Sequence, residues 1–299
     1  MTMTRTRRTA LVAGTSTGIA AVITIGALIA FGVPAGAAPT KVGLGTADSF
    51  GVLAGSGITN TGPTTITGDI GTFPNTSVTG SASVTLSGTN HAGDSVTQGA
   101  KSDLVTAYTT AAGQGPTTAI SADPVGTTLQ PGVYNSASEI GLSGVLTLDG
   151  GGDPAAVWVF QAGSSLTTAS GSTIALVNGA QACHVYWQVG SSATLGTNST
   201  FRGTIMALTS ISLQTGARVD GRVLARNGAV TLDTNTITRS ACITGTTPTA
   251  TATPTSTTTP GPTTPASSGT PGSGTSSSPA TQVSATPRGA VGAGDTSTG

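Results

Sequence analysis

Three short segments place pairs of hydroxyl-bearing side chains three residues apart. They read TLGTN at residues 194–198, SLQTG at 212–216 and TLDTN at 231–235. A regular array of methyl and hydroxyl groups on a rigid surface is suited to ordering water. Turns also use threonine, asparagine and glycine for local hydrogen bonds, so the corners of a repeat structure produce the same pattern. The candidate residues are Thr194, Thr197, Ser212, Thr215, Thr231 and Thr234, together with Thr167 and Ser170, which align with the first pair.

Side chains for acid–base or nucleophilic catalysis are scarce in this sequence. Glycoside hydrolysis needs two carboxylates that face the scissile bond, but Glu139 is the sole glutamate, and Asp149 and Asp153 lie in a glycine-rich turn. His91 and His184 are the only histidines, and no G-x-S-x-G motif accompanies them. We therefore expect no enzymatic activity and no cofactor.

Two cysteines, Cys183 and Cys242, flank the repeated segments. In an oxidising compartment they are expected to pair, which closes a loop of about sixty residues and stabilises the fold by roughly 4 kcal/mol in the chain-entropy model. A metal site is the alternative, but His184 is adjacent and His91 is the only other histidine to complete it. We expect a disulfide and no metal.

Charge is sparse and balanced, with 11 Lys+Arg and 11 Asp+Glu in 299 residues. No basic field remains to hold nucleic acid or an anionic membrane. Four arginines between residues 202 and 226 form a small basic ridge, and an offset of 18 residues places Arg202 beside Asp220. We expect a solvated ion pair at that position.

The two ends of the sequence differ from its middle. Residues 1–37 combine arginines, an apolar run and a small-residue cleavage site, which predicts a secretory signal removed after Ala37, with a retained membrane anchor as the alternative. Residues 244–299 are rich in Thr, Pro, Ser and Gly and predict a disordered stalk. The folded domain is therefore expected at 38–243, as a secreted protein, released or associated with the cell wall.

Internal repeats within 38–243 predict the fold class. Residues 192–207 match 210–225 at an offset of 18, and residues 160–165 match 187–192 at an offset of 27. Coils that cannot bury their apolar faces alone stack on their neighbours, so equivalent side chains form ladders about 4.8 Å apart. One segment departs from the β-pattern: a capping box at residues 95–98 begins an eighteen-residue helix that ends before Gly113. We expect Val96, Ala100, Leu104, Tyr108 and Ala111 on its buried side.

Several motifs in fixed order resemble the DUF3494 ice-binding proteins. They are DSFGVLAG at residues 48–55, ITNTG at 58–62, GDIG at 68–71, LQPGVY at 129–134, WVFQ at 158–161, VYWQVG at 185–190, GTIMA at 203–207 and GRVLA at 221–225. The resemblance covers residues 44–243. It implies an irregular right-handed parallel β-solenoid with a long α-helix alongside, and a secreted protein that adsorbs to ice and inhibits its growth or recrystallisation.

The resemblance does not identify the residues that contact ice, so the hydroxyl series above remains the candidate. An adhesin or matrix protein that binds polysaccharide or other cells is the alternative. An aromatic platform would favour that reading, but Trp158 and Trp187 lie in apolar strand segments typical of a core. We expect a monomer whose partner is the ice surface and its ordered water.

Overall fold

The computed structural model describes residues 38–243. The chain divides between Thr247 and Pro248, and every described residue lies in the first unit. The predicted signal at 1–37 and stalk at 244–299 fall outside the described residues, so these boundaries remain predictions. No helix within 38–243 is long and apolar enough to span a membrane.

All recorded strand pairs are parallel, and successive strands wind around three faces of a β-solenoid. The first, the helix face, contains β1 (Phe50–Ala54), β4 (Asp69–Thr72), β7 (Thr118–Ala119), β9 (Gly132–Ser136), β12 (Trp158–Ala162) and β15 (Val185–Val189). The second, the ladder face, contains β2 (Gly57–Thr61), β5 (Val78–Thr79), β10 (Ile140–Leu142), β13 (Leu166–Thr168), β16 (Ala193–Leu195), β18 (Ile211–Leu213) and β20 (Ala229–Asp233).

The third face contains β3 (Thr64–Thr67), β6 (Val84–Ser87), β8 (Thr128–Leu129), β11 (Val145–Asp149), β14 (Thr173–Val177) and β21 (Thr236–Thr238). Strands β17 (Thr200–Ala207) and β19 (Arg218–Ala225) each cross from the third face to the helix face. Gly203 and Gly221 stack at that bend, both with positive φ, and a Cβ on Gly221 would lie 1.8 Å from the Gly203 carbonyl oxygen. Only glycine fits at this corner.

The first coil stacks on the last one. Val52 of β1 pairs with Val223 of β19, Thr59 of β2 with Thr231 of β20, and Thr65 of β3 with Thr236 of β21. The chain then adds one more coil, β4 to β6, and returns through the helix to the opposite end of the stack, where β7 and β8 begin the remaining coils. The spatial order of coils therefore differs from their order in the sequence.

Two apolar clusters hold the fold together. The larger fills the solenoid and contains Trp158 and Trp187, at 0% and 1% exposure, as predicted. At the offset of 27 noted in the sequence, Trp187 stacks on Phe160 with ring centroids 3.9 Å apart. The smaller cluster lies between the helix face and the helix, and it includes Phe50, Leu104 and Tyr186. These findings confirm the predicted solenoid with one long helix packed alongside.

The helix, α1, spans Ser95–Ala112, the eighteen residues predicted. The predicted capping box was wrong: the N-cap is Asp94, whose carboxylate accepts a hydrogen bond from the Thr97 backbone N–H at 2.9 Å. The predicted burial of Val96 was also wrong, because Val96 is 43% exposed and Thr97 is buried in its place. The other four predicted positions are buried.

Lys101 ties α1 to the solenoid. Its Nζ donates hydrogen bonds to the backbone carbonyl oxygens of Ala225, at 2.7 Å, and Arg226. Burial lowers the pKa of Lys101 from 10.5 to about 8, and repulsion from the Arg226 side chain adds to the effect.

The shifted pKa of Lys101 predicts a pH-dependent stability. Between pH 8 and pH 10 the unfolded lysine still binds a proton that the folded one has released, so the free energy of unfolding should rise with pH. We expect a rise of roughly 2 kcal/mol over this window and none from this group below pH 8. Denaturant melts across the window measure the slope. A Lys101→Met variant should flatten it, and an unchanged slope in that variant would contradict the assignment.

The predicted disulfide joins Cys183 to Cys242, with Cα atoms 5.5 Å apart. Cys183 lies between β14 and β15, at the corner where the third face meets the helix face. Gln181 holds the last described residue at the same corner: its Nε2 donates to the Ile243 carbonyl at 3.0 Å, and its Oε1 accepts from the Ile243 N–H at 2.7 Å. The described chain thus ends on the far side of the solenoid from the ladder face.

Candidate functional site

One row of hydroxyl groups runs along the ladder face in unbroken register. Strand pairing links Thr167 to Thr194, Thr194 to Ser212, Ser212 to Thr231, Thr231 to Thr59 and Thr59 to Thr79. We call these six residues the hydroxyl ladder. At about 4.8 Å per strand the ladder is about 24 Å long. The row ends at Gly141, which pairs with Thr167 and has no side chain.

The ladder hydroxyls are available to water. Thr59, Thr79, Thr167 and Thr231 are exposed, and Thr194 and Ser212 are half-buried. Thr79 Oγ1 donates to Thr59 Oγ1 at 3.2 Å, and the other four hydroxyls have no hydrogen bond within residues 38–243. No charged side chain interrupts the row.

On each strand, the residues just before and just after the ladder residue point into the core, and their packing holds the ladder residue in place. Alternation along a strand turns every second side chain inward. Nearly all inward positions are large aliphatic residues with exposures of 3% or less: Ile58, Ile140, Leu142, Leu166, Leu195, Ile211, Leu213, Val230 and Leu232. Two are polar. Thr168 Oγ1 accepts a hydrogen bond from Gly196 N–H at 2.9 Å, and Asn60 Nδ2 donates to the Gly62 carbonyl at 2.9 Å, while Asn60 Oδ1 is buried without a hydrogen-bond partner within residues 38–243. The ladder therefore rests on a packed layer with little freedom to move.

Half of the predicted site residues belong to this row. They are Thr167, Thr194, Ser212 and Thr231, and the pairing of Thr194 with Ser212 follows the offset of 18 noted in the sequence. Sequence reasoning missed Thr59 and Thr79, because they lie in the N-terminal coils and join the ladder only through the pairing of β2 with β20. The segment ITN at residues 58–60 carries the same signal, with an outward threonine between two inward side chains.

The other four predicted residues lie in the turns between the ladder face and the third face. Backbone hydrogen bonds stack Ser170, Thr197 and Thr215 in one row, and Asp233 continues it. Thr234 does not belong to this row; it occupies the next position, with positive φ, because the last copy is one residue shorter. This predicted equivalence was wrong.

The hydroxyl groups in these turns are also less available to water than those of the ladder. Thr215 Oγ1 donates to the Asp233 carboxylate, Thr234 Oγ1 donates to the same carboxylate at 3.0 Å, and Thr197 Oγ1 lies 3.5 Å from Gln214 Oε1. These hydroxyls are used within the protein, and a carboxylate interrupts the row. The ladder is therefore the stronger candidate surface.

The third face carries a second, shorter hydroxyl array that sequence reasoning missed. Outward positions of β21, β3 and β6 pair in two rows, Thr236 with Thr65 and Thr85, and Thr238 with Thr67 and Ser87. Next to this array the rows change to Arg218 and Asp220. Arg202 and Asp220 form the predicted ion pair, with both side chains more than a third exposed. The Thr-rich part of this face is thus three strands wide and ends at charged groups.

Side chains considered for catalysis make separate structural contacts. His91 Nδ1 pairs with Asp94 Oδ2 at 2.7 Å beside the start of α1. Asp149 accepts from Gly151 N–H and from Asn178, and these hydrogen bonds, the backbone one foremost, lower the pKa of the Asp149 carboxyl. His184 lies beside the disulfide, with Nδ1 3.1 Å from the Pro154 carbonyl oxygen. Each of these contacts has a structural explanation.

Comparison with known proteins matches the described region closely. The family model described as ice-binding-like matches residues 52–238. A protein named ice-binding protein from Nostoc sp. (strain HG1) is 48% identical over 227 residues, covering 75% of this chain and 83% of the relative. An ice-binding protein from Colwellia sp. is 37% identical, covering 67% of this chain and 85% of the relative.

Solved structures agree with the sequence relatives. The crystal structure of an ice-binding protein from an Antarctic biological consortium superposes with a TM-score of 0.67 at 46% identity, covering 68% of this chain and 93% of that one. The DUF3494 domain of ice-binding protein 1 from Shewanella frigidimarina gives a TM-score of 0.65 at 30% identity, with 68% and 99% covered. On the fold, the ordered motifs and these matches, the chain belongs to the ice-binding-like (DUF3494) family.

Proposed function

We propose that this protein adsorbs to ice through the hydroxyl ladder and inhibits the growth or recrystallisation of ice. The observation that carries the proposal is the unbroken, uncharged row of six hydroxyl-bearing residues on the ladder face. The names of the relatives support it, since the matching proteins from Nostoc, Colwellia and Shewanella are all ice-binding proteins.

The chemistry of the ladder suits an ice surface. Each threonine offers a methyl group that restricts nearby water and a hydroxyl that can hold one water by a hydrogen bond. Repetition at the strand spacing imposes one period on those waters, which then form bridges between protein and crystal. Binding a surface through bridging water costs least when the protein is already rigid, and the packed layer beneath the ladder provides that rigidity.

The same reasoning favours the ladder over the hydroxyl array of the third face. Charged groups orient water in their own fields, and Arg218 and the Arg202–Asp220 pair border that array. The segment 240–243 also passes beside the third face and walls a cavity of about 520 Å³ with Ala175, Arg202 and Asp220. The third face is therefore charged and indented beside its hydroxyl array. On the ladder face, the comparable feature is a cavity of about 260 Å³ with Asp123 and Glu139 in its lining, and it lies at the Gly141 end, where the row stops.

We infer that the protein acts outside the cell as a monomer. The composition of residues 1–37 and a disulfide, which forms in oxidising compartments, support export. The adhesin alternative receives no support from the relatives, whose names all refer to ice. The indole groups of Trp158 and Trp187 are buried and provide no stacking platform for sugars.

Thermal hysteresis and the shape of single ice crystals test the proposed function directly. Purified, oxidised protein should produce faceted crystals and a gap between melting and freezing temperatures. Circular dichroism on the same sample shows whether it is folded. Round crystals and no gap from folded protein would reject ice adsorption, and glycan binding would then be measured.

A further inference from the structure

A pocket of about 410 Å³ lies between the two ends of the described chain, beside the disulfide. Residues 41–45 and 239–242 form two of its walls, and Tyr186 of β15 and Arg222 of β19 come from the helix face. The pocket is separate from the hydroxyl ladder, because it opens at the corner where the third face meets the helix face. Nothing in the proposed ice-binding function uses it.

Positive charge concentrates in this pocket. Lys41, Arg222 and Arg239 line it, and Asp48 is the only acidic residue among its lining residues. Residues 38–243 contain seven Lys and Arg against ten Asp and Glu, so the domain is acidic overall. Three of the seven positively charged side chains of this domain nevertheless line this one pocket.

The one carboxylate is shared between two guanidinium groups. Arg222 donates from Nη2 to Asp48 Oδ1 at 2.8 Å and from Nε to the Asp48 carbonyl at 2.9 Å. Arg239 Nη1 lies 3.7 Å from Asp48 Oδ2. Lys41 has no hydrogen bond or ion pair from its side chain within the described residues. The pocket therefore keeps an excess of positive charge after its internal pairing.

Hydrogen-bond donors also remain in excess. A guanidinium group has five N–H donors, and Arg222 uses its Nε–H and one Nη2–H on Asp48, although its side chain is only 4% exposed. Burial lowers the pKa of Arg222, Asp48 opposes that effect, and repulsion from Arg239 adds to it. Ser240 lines the same pocket, and its buried hydroxyl has no partner within 38–243. A second anion would supply acceptors and relieve the repulsion.

We propose that this pocket binds an oxyanion, a phosphate or carboxylate group, between Arg222, Arg239 and Lys41. Arginine and lysine bind such groups through charge-assisted hydrogen bonds, and arginine can do so with two parallel bonds. Because the segments 41–45 and 239–242 both line the pocket with Arg222, the bound anion links both segments to the helix face. Ligand bound only to the folded state stabilises that state.

The experiment measures binding of inorganic phosphate to the oxidised protein, by its effect on Tm and by titration calorimetry. Sodium chloride of equal ionic strength is the reference, and sodium glucuronate tests a carboxylate on a sugar. We expect a saturable rise in Tm with phosphate, glucuronate or both, which identifies the anion class. A Lys41→Ala/Arg239→Ala variant should weaken the affinity at least about tenfold.

Arg218→Ala is the matched control, because Arg218 is an exposed arginine on the third face that does not line the pocket. It should leave the affinity unchanged. The proposal is overturned if neither anion exceeds chloride, if the double variant binds as tightly as the unmodified protein, or if Arg218→Ala weakens binding equally. Ice-crystal shaping is measured on the same samples, so failure of the ice-binding function is recognised independently of failure of the anion site.

Discussion

A Thr231→Tyr variant should lose most of its thermal hysteresis activity, on the order of tenfold, because adsorption requires close contact along the whole ladder. Thr231 is exposed in the middle of the hydroxyl ladder, between Ser212 and Thr59. A tyrosine ring there would project beyond its neighbours and keep the crystal away from all of them. The stability should change by no more than about 0.5 kcal/mol, because the side chain points outward.

Thr67→Tyr is the matched control for Thr231→Tyr. Thr67 is an exposed threonine with the same outward orientation, but it lies in the array of the third face. Its variant should shape ice as the unmodified protein does. If Thr67→Tyr removes activity and Thr231→Tyr does not, the ice-binding surface is the third face and the assignment to the ladder is wrong. Freezing hysteresis and crystal shape for both variants, with Tm as the folding check, distinguish the two results.

A Cys183→Ser/Cys242→Ser variant should lose about 4 kcal/mol of unfolding free energy, because the native bridge closes a loop with a sequence separation of 59. For a domain of this size, that loss lowers Tm by roughly 10 °C. The bridge fixes the segment after β21 to the corner beside Gln181, so we expect that segment to become protease-sensitive as well. Denaturant and thermal melts measure the first effect.

Reduction of the unmodified protein supplies the control for the disulfide variant. Reductant should lower the Tm of the unmodified protein to that of the double-serine variant and leave the variant unchanged. Equal melting temperatures for oxidised protein and variant would mean that other contacts hold the segment after β21 in place. Those contacts are the two hydrogen bonds between Gln181 and Ile243.

The sequence predicts those parts of the site whose coils follow one another directly. The offset of 18 between residues 192–207 and 210–225 is the length of one coil, so it predicts that Thr194 stacks on Ser212. The same offset places Arg202 beside Asp220, as observed. Apolar segments around Trp158 and Trp187 likewise predict a core, because aromatic side chains in parallel strands are covered on both sides.

Other parts of the site depend on contacts between segments that are far apart in the sequence, and no local sequence pattern predicts such contacts. Thr59 joins the ladder because β2 pairs with β20, across more than 170 residues of sequence. Asp233 replaces a threonine in the turn row because the last copy is one residue shorter, and Asn235 fills that turn with hydrogen bonds from its buried amide to Gln214 and Ala217. Arg222, which the sequence places in a basic ridge, is buried against Asp48 through a tertiary contact of the N-terminal segment.

The stacking of the first coil on the last one sets the order in which this protein can fold. Strands β1 to β3 emerge first during synthesis, yet half of each strand's partners, β19 to β21, come last. Contacts across such sequence separations are slow to form, because loop-closure entropy opposes them. The first coils therefore remain without their final partners until residue 238 is available. A truncation before β19 would leave an open strand edge in the middle of the stack and expose the chain to aggregation.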